Sequence, residues 1–396
     1  MEYIRSGVRE LAERLKLSRG PLQIVLGPRQ VGKTTGARYV MEHWKKGLSH
    51  YATADLTVPP TAEWVSQQWL QARALWARRH SPVLLILDEV QKVPRWSETV
   101  KREWDEDGYE KRDIRVVLLG SSALLLGEGM SESLAGRFEV HRWGHWQYTE
   151  MKGAFGWDVD TFMLYGGYPG AAQFIRDPRR YRDYVRESLI ETAISRDVLM
   201  GARIDKPALL RRLFVLACEY GSQVVSYTKF LGQLQDVSNT VTLASYQDLL
   251  EKAWLVAGLP KWSGSAVRRR ASSPKWLPLN TALMTGLLEE DPEALRKQPA
   301  RWGRWVETAV GTHLYAEMQR NGGSLSWWRE GNYEVDYVVK LDQALLAIEV
   351  KSGRPRDARS GLEAFKERWP KAKTLLVGTQ GIPLDRFLGG WIKDYM

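Results

Sequence analysis

The chain has 396 residues, a formal net charge of +10, 44% hydrophobic and 26% charged side chains, and one cysteine, Cys218. That length predicts two to three domains at roughly 150 residues each, and the balance excludes wholesale disorder. A lone Cys excludes an internal disulfide or a cysteine-built zinc site, and the six His are scattered.

The opening stretch is too polar for a signal peptide. Its Ile4, Val8, Leu11 and Leu15 follow helical spacing and predict an amphipathic helix. No run of eighteen apolar residues occurs, so no membrane span is expected, and a reducing, cytoplasmic location fits. Continuous apolar runs at Leu22–Leu26, Val83–Leu87 and Val116–Leu119 predict strands of a parallel sheet buried on both faces. They belong to an α/β domain over residues 1–150.

Between the first of these strands and a predicted helix from Lys33 toward Trp44 lies Gly27-Pro-Arg-Gln-Val-Gly-Lys-Thr. The spacing Gly-x4-Gly-Lys-Thr in a strand–loop–helix context is that of a phosphate-binding loop. Gly27 and Gly32 permit the tight path, and backbone amides from Gln30 and Val31 to Thr35 surround phosphate. Lys33 reaches the outer phosphates, and Thr34 ligates Mg²⁺. ATP and Mg²⁺ are the expected cofactors. The second apolar strand ends in Asp88-Glu89, about 55 residues on, where Asp88 holds the ion and Glu89 polarises an attacking water. The third ends in Gly120-Ser121-Ser122. Ser121 is the preferred γ-phosphate sensor, with a helix-capping serine as the alternative. Arg137 follows a short predicted helix and is either a finger reaching across a subunit interface or an ordinary ion-pair arginine.

Residues 151–200 read as a helical lid or connector with a Gly-Gly-Tyr-Pro-Gly break at Gly166–Gly170. Residues 201–280 read as three helices, near Pro207–Glu219, Tyr227–Leu234 and Val241–Lys252, and a hairpin pairing Leu255–Trp262 with Lys275–Leu279. That is the layout of a winged helix. Thr240, Thr242, Ser245 and Tyr246 are candidates for a DNA groove, and Arg268, Arg269 and Arg270 for the wing tip. This segment holds 11 basic and 5 acidic side chains, over half the excess charge in a fifth of the chain. Such a bias points to a polyanion, with a solvated basic face or a protein-binding winged helix as the alternatives. Most of the 18 Trp are expected to be core or interface anchors.

Residues 281–396 predict helices near Trp302–Gln319 and Ser360–Arg368 and strands at Leu325–Trp328, Glu334–Val339, Leu345–Val350 and Thr374–Val377. Glu307 on the helix, Asp336 on one strand, and Glu349 with Lys351 on the next form the constellation of a Mg²⁺-dependent nuclease. The alternatives are a retained fold that no longer cuts, or a solvated strand face.

Longer stretches resemble a known family, prokaryotic AAA+-type ATPases of the AAA_14 class joined to a DUF4143 region. They include GPRQVGKTT (27–35), LLILDEVQKVPRW (84–96), YGGYPGAAQF (165–174), NTVTLASYQDLLEKAWLV (239–256), SPKWLPLNTAL (273–283) and WVETAVGTHL (305–314). The resemblance implies an α/β fold: a P-loop AAA+ core with a parallel sheet, then a winged helix, then a restriction-endonuclease-like α/β domain of the PD-(D/E)xK type. It supports the roles given above to Lys33, Thr34, Asp88, Glu89, Ser121 and Arg137, and maps the nuclease-like quartet to Glu307, Asp336, Glu349 and Lys351. Val335 stands where that motif expects a proline. The expected function is an ATP-driven DNA-remodelling enzyme assembled as a ring, a hexamer. Alternatives are a nucleotide-switched regulator with a protein partner, or an ATP-gated nuclease.

Overall fold

The computed structural model describes every residue except 1–2, 18–19, 57, 59, 121–133, 200–203, 235–238, 264–271 and 354–357. The chain divides into two compact units, Met1–Gly144 and His145–Met396.

The first unit contains α1 (Ser6–Arg14), β1 (Leu22–Leu26), α2 (Lys33–Glu42), β2 (Ser49–Thr53), α3 (Ala62–Arg79), β3 (Val83–Asp88), α4 (Trp96–Tyr109), β4 (Ile114–Gly120) and β5 (Phe138–Arg142). The strands form one parallel sheet in the order β2-β3-β4-β1-β5. Apolar runs in β1, β3 and β4 follow from burial on both faces. Leu22, Ile24, Val83, Leu85 and Leu87 pack with Trp69 of α3 and Val100 of α4. The alternate residues Val25, Leu84 and Ile86 pack with Val8 and Leu11 of α1 and Val40 of α2. The sheet's two edges, β2 and β5, escaped the sequence reading. Their sequences Ser-His-Tyr-Ala-Thr and Phe-Glu-Val-His-Arg are mostly half-buried, so they carry no apolar run.

The second unit opens with α5 (Tyr148–Phe155), closed by a capping box between Gln147 and Glu150, and α6 (Val159–Tyr165), capped by Asp158. The predicted glycine break lies here. Gly166 has φ +68°, and a Cβ on it would meet the Asn280 side-chain oxygen at 2.0 Å. That oxygen accepts from the Gly167 and Ala282 amides at 3.0 and 3.1 Å, so the break seats one segment on another far along the chain. Next come α7 (Pro178–Asp183), α8 (Pro207–Glu219), β6 (Gln223–Val224), α9 (Tyr227–Leu231), α10 (Thr240–Lys252), β7 (Val256–Leu259), β8 (Lys275–Pro278) and α11 (Thr281–Gly286). The three short strands pair antiparallel as β6-β8-β7.

The unit closes with α12 (Pro299–Asn321), β9 (Ser324–Glu330), β10 (Tyr333–Leu341), β11 (Ala344–Lys351), α13 (Ala358–Arg368), β12 (Lys373–Gly378) and α14 (Leu384–Gly389). β9, β10 and β11 pair antiparallel, and β12 adds parallel to β11. One continuous core runs from Tyr148 to Ile392. A bulge in β10 between Val335 and Val338 breaks the register with β9. It sends Val335 and Val338 to a core with Phe365 of α13, and Tyr337 and Val339 to the core containing Val306 and Val310 of α12. Among the described residues no helix is long and apolar enough to cross a membrane.

His313 of α12 gives this unit a pH dependence. It is buried against Phe387, its Nδ1 has no hydrogen-bond partner, and burial with Arg320 nearby pushes it down to about 4. Its folded pKa lies below its unfolded value, so its contribution is complete above pH 6.5 and is lost as pH falls toward 4. Wild type should lose about 3 kcal/mol more than His313→Leu between pH 7 and pH 4, read from urea unfolding. Glu317, one turn on, is raised by burial and contributes with the opposite sign, but it is common to both proteins.

Candidate functional site

β1 delivers the chain to Gly27 beside the end of β5, where the Trp143 amide donates to the Leu26 carbonyl at 2.7 Å. A Cβ at Gly27 would lie 2.0 Å from the Trp143 carbonyl oxygen, so only glycine fits. Gln30 and Gly32 take left-handed φ of +61° and +86°. Those turns set α2 to begin at Lys33 with its amide ends toward the loop. Lys33 is buried, and its ammonium donates to the Gly27 and Pro28 carbonyls at 2.8 and 2.6 Å. Gln30 and Thr35 are exposed. The Val31 side chain is fully buried, so Val31 offers the loop its backbone only. Arg5, just before α1, donates to the Val31 and Gly144 carbonyls, both at 3.1 Å, and braces the loop from behind.

Asp88 ends β3, one strand removed from β1, and is buried. Its Oδ2 accepts from the Thr34 hydroxyl at 2.7 Å and from the Tyr51 phenol at 2.8 Å. The sequence reading missed Tyr51, because it sits on the edge strand β2. Burial and Asp88 push the phenol up to about 12, and the Arg38 guanidinium lies 4.9 Å from its ring centroid. Glu89 leaves the strand in the left-handed region at φ +55°, which a non-glycine residue adopts only under local constraint. The Gln91 amide donates to its carboxylate at 2.8 Å. Thr34 and Asp88 thus bring two hard oxygen donors together beside Lys33, a set that fits Mg²⁺ with a nucleotide.

Arg137 makes a bidentate pair with Asp105 of α4, at 2.8 and 3.1 Å. Ser121 and Ser122 lie outside the described residues, as do Arg268, Arg269 and Arg270. Asn239 caps α10 by accepting from the Thr242 amide and hydroxyl at 2.9 and 3.1 Å. Thr240 and Thr242 are half-buried, and Ser245 is exposed. Tyr246 corrects the sequence reading. It is buried in the core and its hydroxyl accepts from the Lys206 amide at 3.2 Å, so it faces no groove. Period-3.6 spacing from an N-cap does not tell the buried stripe from the exposed one when both hold polar residues.

The C-terminal quartet is drawn together only in part. The Val350 amide donates to Asp336 Oδ2 at 2.8 Å, and Lys351 pairs with Glu349 at 2.5 Å. Between Glu307 and Asp336 stands a residue the sequence reading passed over, Lys275 of β8. Its ammonium contacts Glu307 Oε1, lies 3.6 Å from Asp336 Oδ1 and donates to the Asp336 carbonyl at 3.0 Å. It also lies 4.6 Å from the Tyr337 ring centroid. Glu307 and Asp336 hold Lys275 charged against the cost of its burial. Burial and the neighbouring Asp336 raise Glu307, and push Glu349 up to about 7. Among the described residues no group of three or more His, Cys, Asp or Glu is placed to hold a metal ion. Asp336 and Glu349, the expected carboxylate pair, lie on the neighbouring strands β10 and β11, with Lys275 on the Glu307–Asp336 side of the cluster.

Comparison with known proteins finds three family matches along the chain. Residues 19–152 match the AAA_14 family, an AAA domain; 156–294 match a domain of unknown function, DUF8612; and 302–386 match another, DUF4143. Uncharacterized proteins of Mycobacterium bovis and Mycobacterium tuberculosis are each 30% identical over 365 residues, covering 89% of this chain and 76% of theirs. Among solved structures, a Walker-type ATPase of Pyrococcus abyssi is 14% identical with a TM-score of 0.47, covering 72% of this chain and 95% of that one. Cdc6p of Pyrobaculum aerophilum is 14% identical with a TM-score of 0.33, covering 62% and 79%. Scores this low say nothing of function. With a parallel α/β core built on a phosphate-binding loop, and relatives matching along most of its length, the chain belongs to the AAA_14/DUF4143 family of AAA-type ATPases.

Proposed function

We propose that this protein hydrolyses ATP to remodel DNA, working as a ring, with Arg137 completing the neighbouring subunit's site. The observation that carries the hydrolase reading is the convergence of Thr34 and Asp88 at 2.7 Å beside Lys33, with Glu89 next in the chain. The loop amides and Lys33 bind the phosphates, and Thr34 and Asp88 orient the ion. Mg²⁺, when bound, supplies positive charge to the phosphate oxygens. Glu89 takes up the proton of the attacking water. Tyr51 fixes the Asp88 carboxylate against rotation.

The DNA reading is supported by the basic excess of residues 201–280 and by their helix–strand–helix–helix–hairpin order, read as a winged helix. A second reading, a nucleotide-switched regulator, is favoured by one feature. α10 presents Val241, Ser245 and an Asp248–Lys252 ion pair at 2.7 Å, not a basic face.

Steady-state ATP hydrolysis separates the two, measured alone and with single-stranded, duplex and four-way-junction DNA, with Lys33→Ala as the blank. Stimulation by one DNA form is the expected result. Indifference to every form would transfer the reading to the regulator. Arg137→Ala should slow turnover roughly tenfold or more, and mixing it with inactive Lys33→Ala should restore activity across the shared interface. Full activity from a monomer would remove the ring.

A further inference from the structure

We propose that Lys275 is the resident cation of the C-terminal carboxylate cluster. Its ammonium fills the place where a nuclease centre would seat a divalent ion. The cluster is then a clasp fastening the β7–β8 hairpin to the β10–β11 sheet, and it does not cut.

The contacts around Glu307 and Asp336 leave little for a metal. Lys275 is 1% exposed and meets both Glu307 and Asp336. The second oxygen of Asp336 is taken by the Val350 amide. Glu349 is held through Oε1 by Lys351, and its buried Oε2 has no partner. The Tyr337 hydroxyl donates to the Glu307 carbonyl at 2.8 Å and meets Ser222 at 3.3 Å, fixing the ring over which the ammonium lies. A divalent ion would enter here against two ammonium groups already paired with three carboxylates. Hard-cation chemistry and this donor set disagree.

The bulge in β10 supports the same reading. It falls on Asp336 and Tyr337, two of the three residues that receive Lys275. The clasp therefore depends on a local distortion that places backbone carbonyl, carboxylate and ring around one ammonium.

The test is Mn²⁺ binding by the nucleotide-free full-length chain, followed by the free-ion resonance signal and by thermal melting. Four proteins are compared: wild type, Glu349→Gln, Lys275→Ala, and Lys275→Ala with Glu349→Gln. Wild type should show no Mn²⁺ site that Glu349→Gln removes. Lys275→Ala should melt lower, and saturating Mn²⁺ should raise its melting point by about 5 °C, an effect lost when Glu349→Gln is added. A wild-type Mn²⁺ site abolished by Glu349→Gln overturns the proposal. So does a folded Lys275→Ala protein, judged by circular dichroism, that gains no Mn²⁺ response. Should Lys275→Ala fail to fold, the wild-type arm decides alone. Mn²⁺-dependent DNA cleavage lost in Lys351→Ala overturns the proposal, and its absence upholds it.

Discussion

Glu89→Gln should cut ATP turnover by roughly a thousandfold while leaving nucleotide bound. The amide keeps the shape of the side chain but no longer takes a proton. In the proposed site the phosphate contacts lie elsewhere, on the loop from Gly27 to Thr34. The Glu89 carboxylate accepts from the Gln91 amide at 2.8 Å and lies 3.8 Å from the Lys92 ammonium. Binding and hydrolysis should separate cleanly. A fluorescent ATP analogue should titrate with unchanged affinity, and single-turnover hydrolysis should collapse. Equal loss of both would mean that Glu89 shapes the loop and is not the base. The left-handed backbone at Glu89 would then be a purely structural feature of the turn after β3.

The second large effect lies away from the phosphates. Asp107→Ala should lower the stability of the N-terminal unit by about 3 kcal/mol. Asp107 of α4 is buried and accepts from Trp69 Nε1 and Arg73 Nε of α3, both at 2.7 Å, and from Arg112 at 3.2 Å. Its loss leaves a buried indole N–H without its acceptor and a guanidinium with one carboxylate fewer. The α3–α4 pair that covers β3 and β4 would loosen. Calorimetry should find that unit melting roughly 6–12 °C lower. Arg102→Ala is the matched control. Arg102 reaches the same layer through Glu103 at 2.9 Å but from an exposed side chain, so its removal should change stability by less than about 1 kcal/mol. Equal effects from the two would mean that the Asp107 network contributes no more than a surface pair.

Much of this molecule was legible in its residues. Buried strands β1, β3 and β4 announce themselves because both faces are apolar, and the phosphate loop because glycine is forced where backbone must approach backbone. α8 runs over Pro207–Glu219 as its spacing predicts. Edge strands β2 and β5 hide, since half-exposed positions accept Ser, His, Glu and Arg. Tyr51 hides with them, although it touches the carboxylate that faces Thr34. Tyr246 misleads for a related reason: a polar atom on a helix says nothing of which way the helix turns it.

Local order is set within a few residues, by period, cap and glycine, so the sequence by itself determined the buried strands, several helices and the glycine-bounded loop between β1 and α2. Only the tertiary structure decided which charges meet. Lys275 comes from a hairpin more than thirty residues before Glu307 and sixty before Asp336, and no spacing rule connects them. A bulge in β10 and the packing of α12 bring them together, and burial then makes their pairing obligatory. That is the physical reason Glu307, Asp336, Glu349 and Lys351 could be picked from the sequence while Lys275 could not.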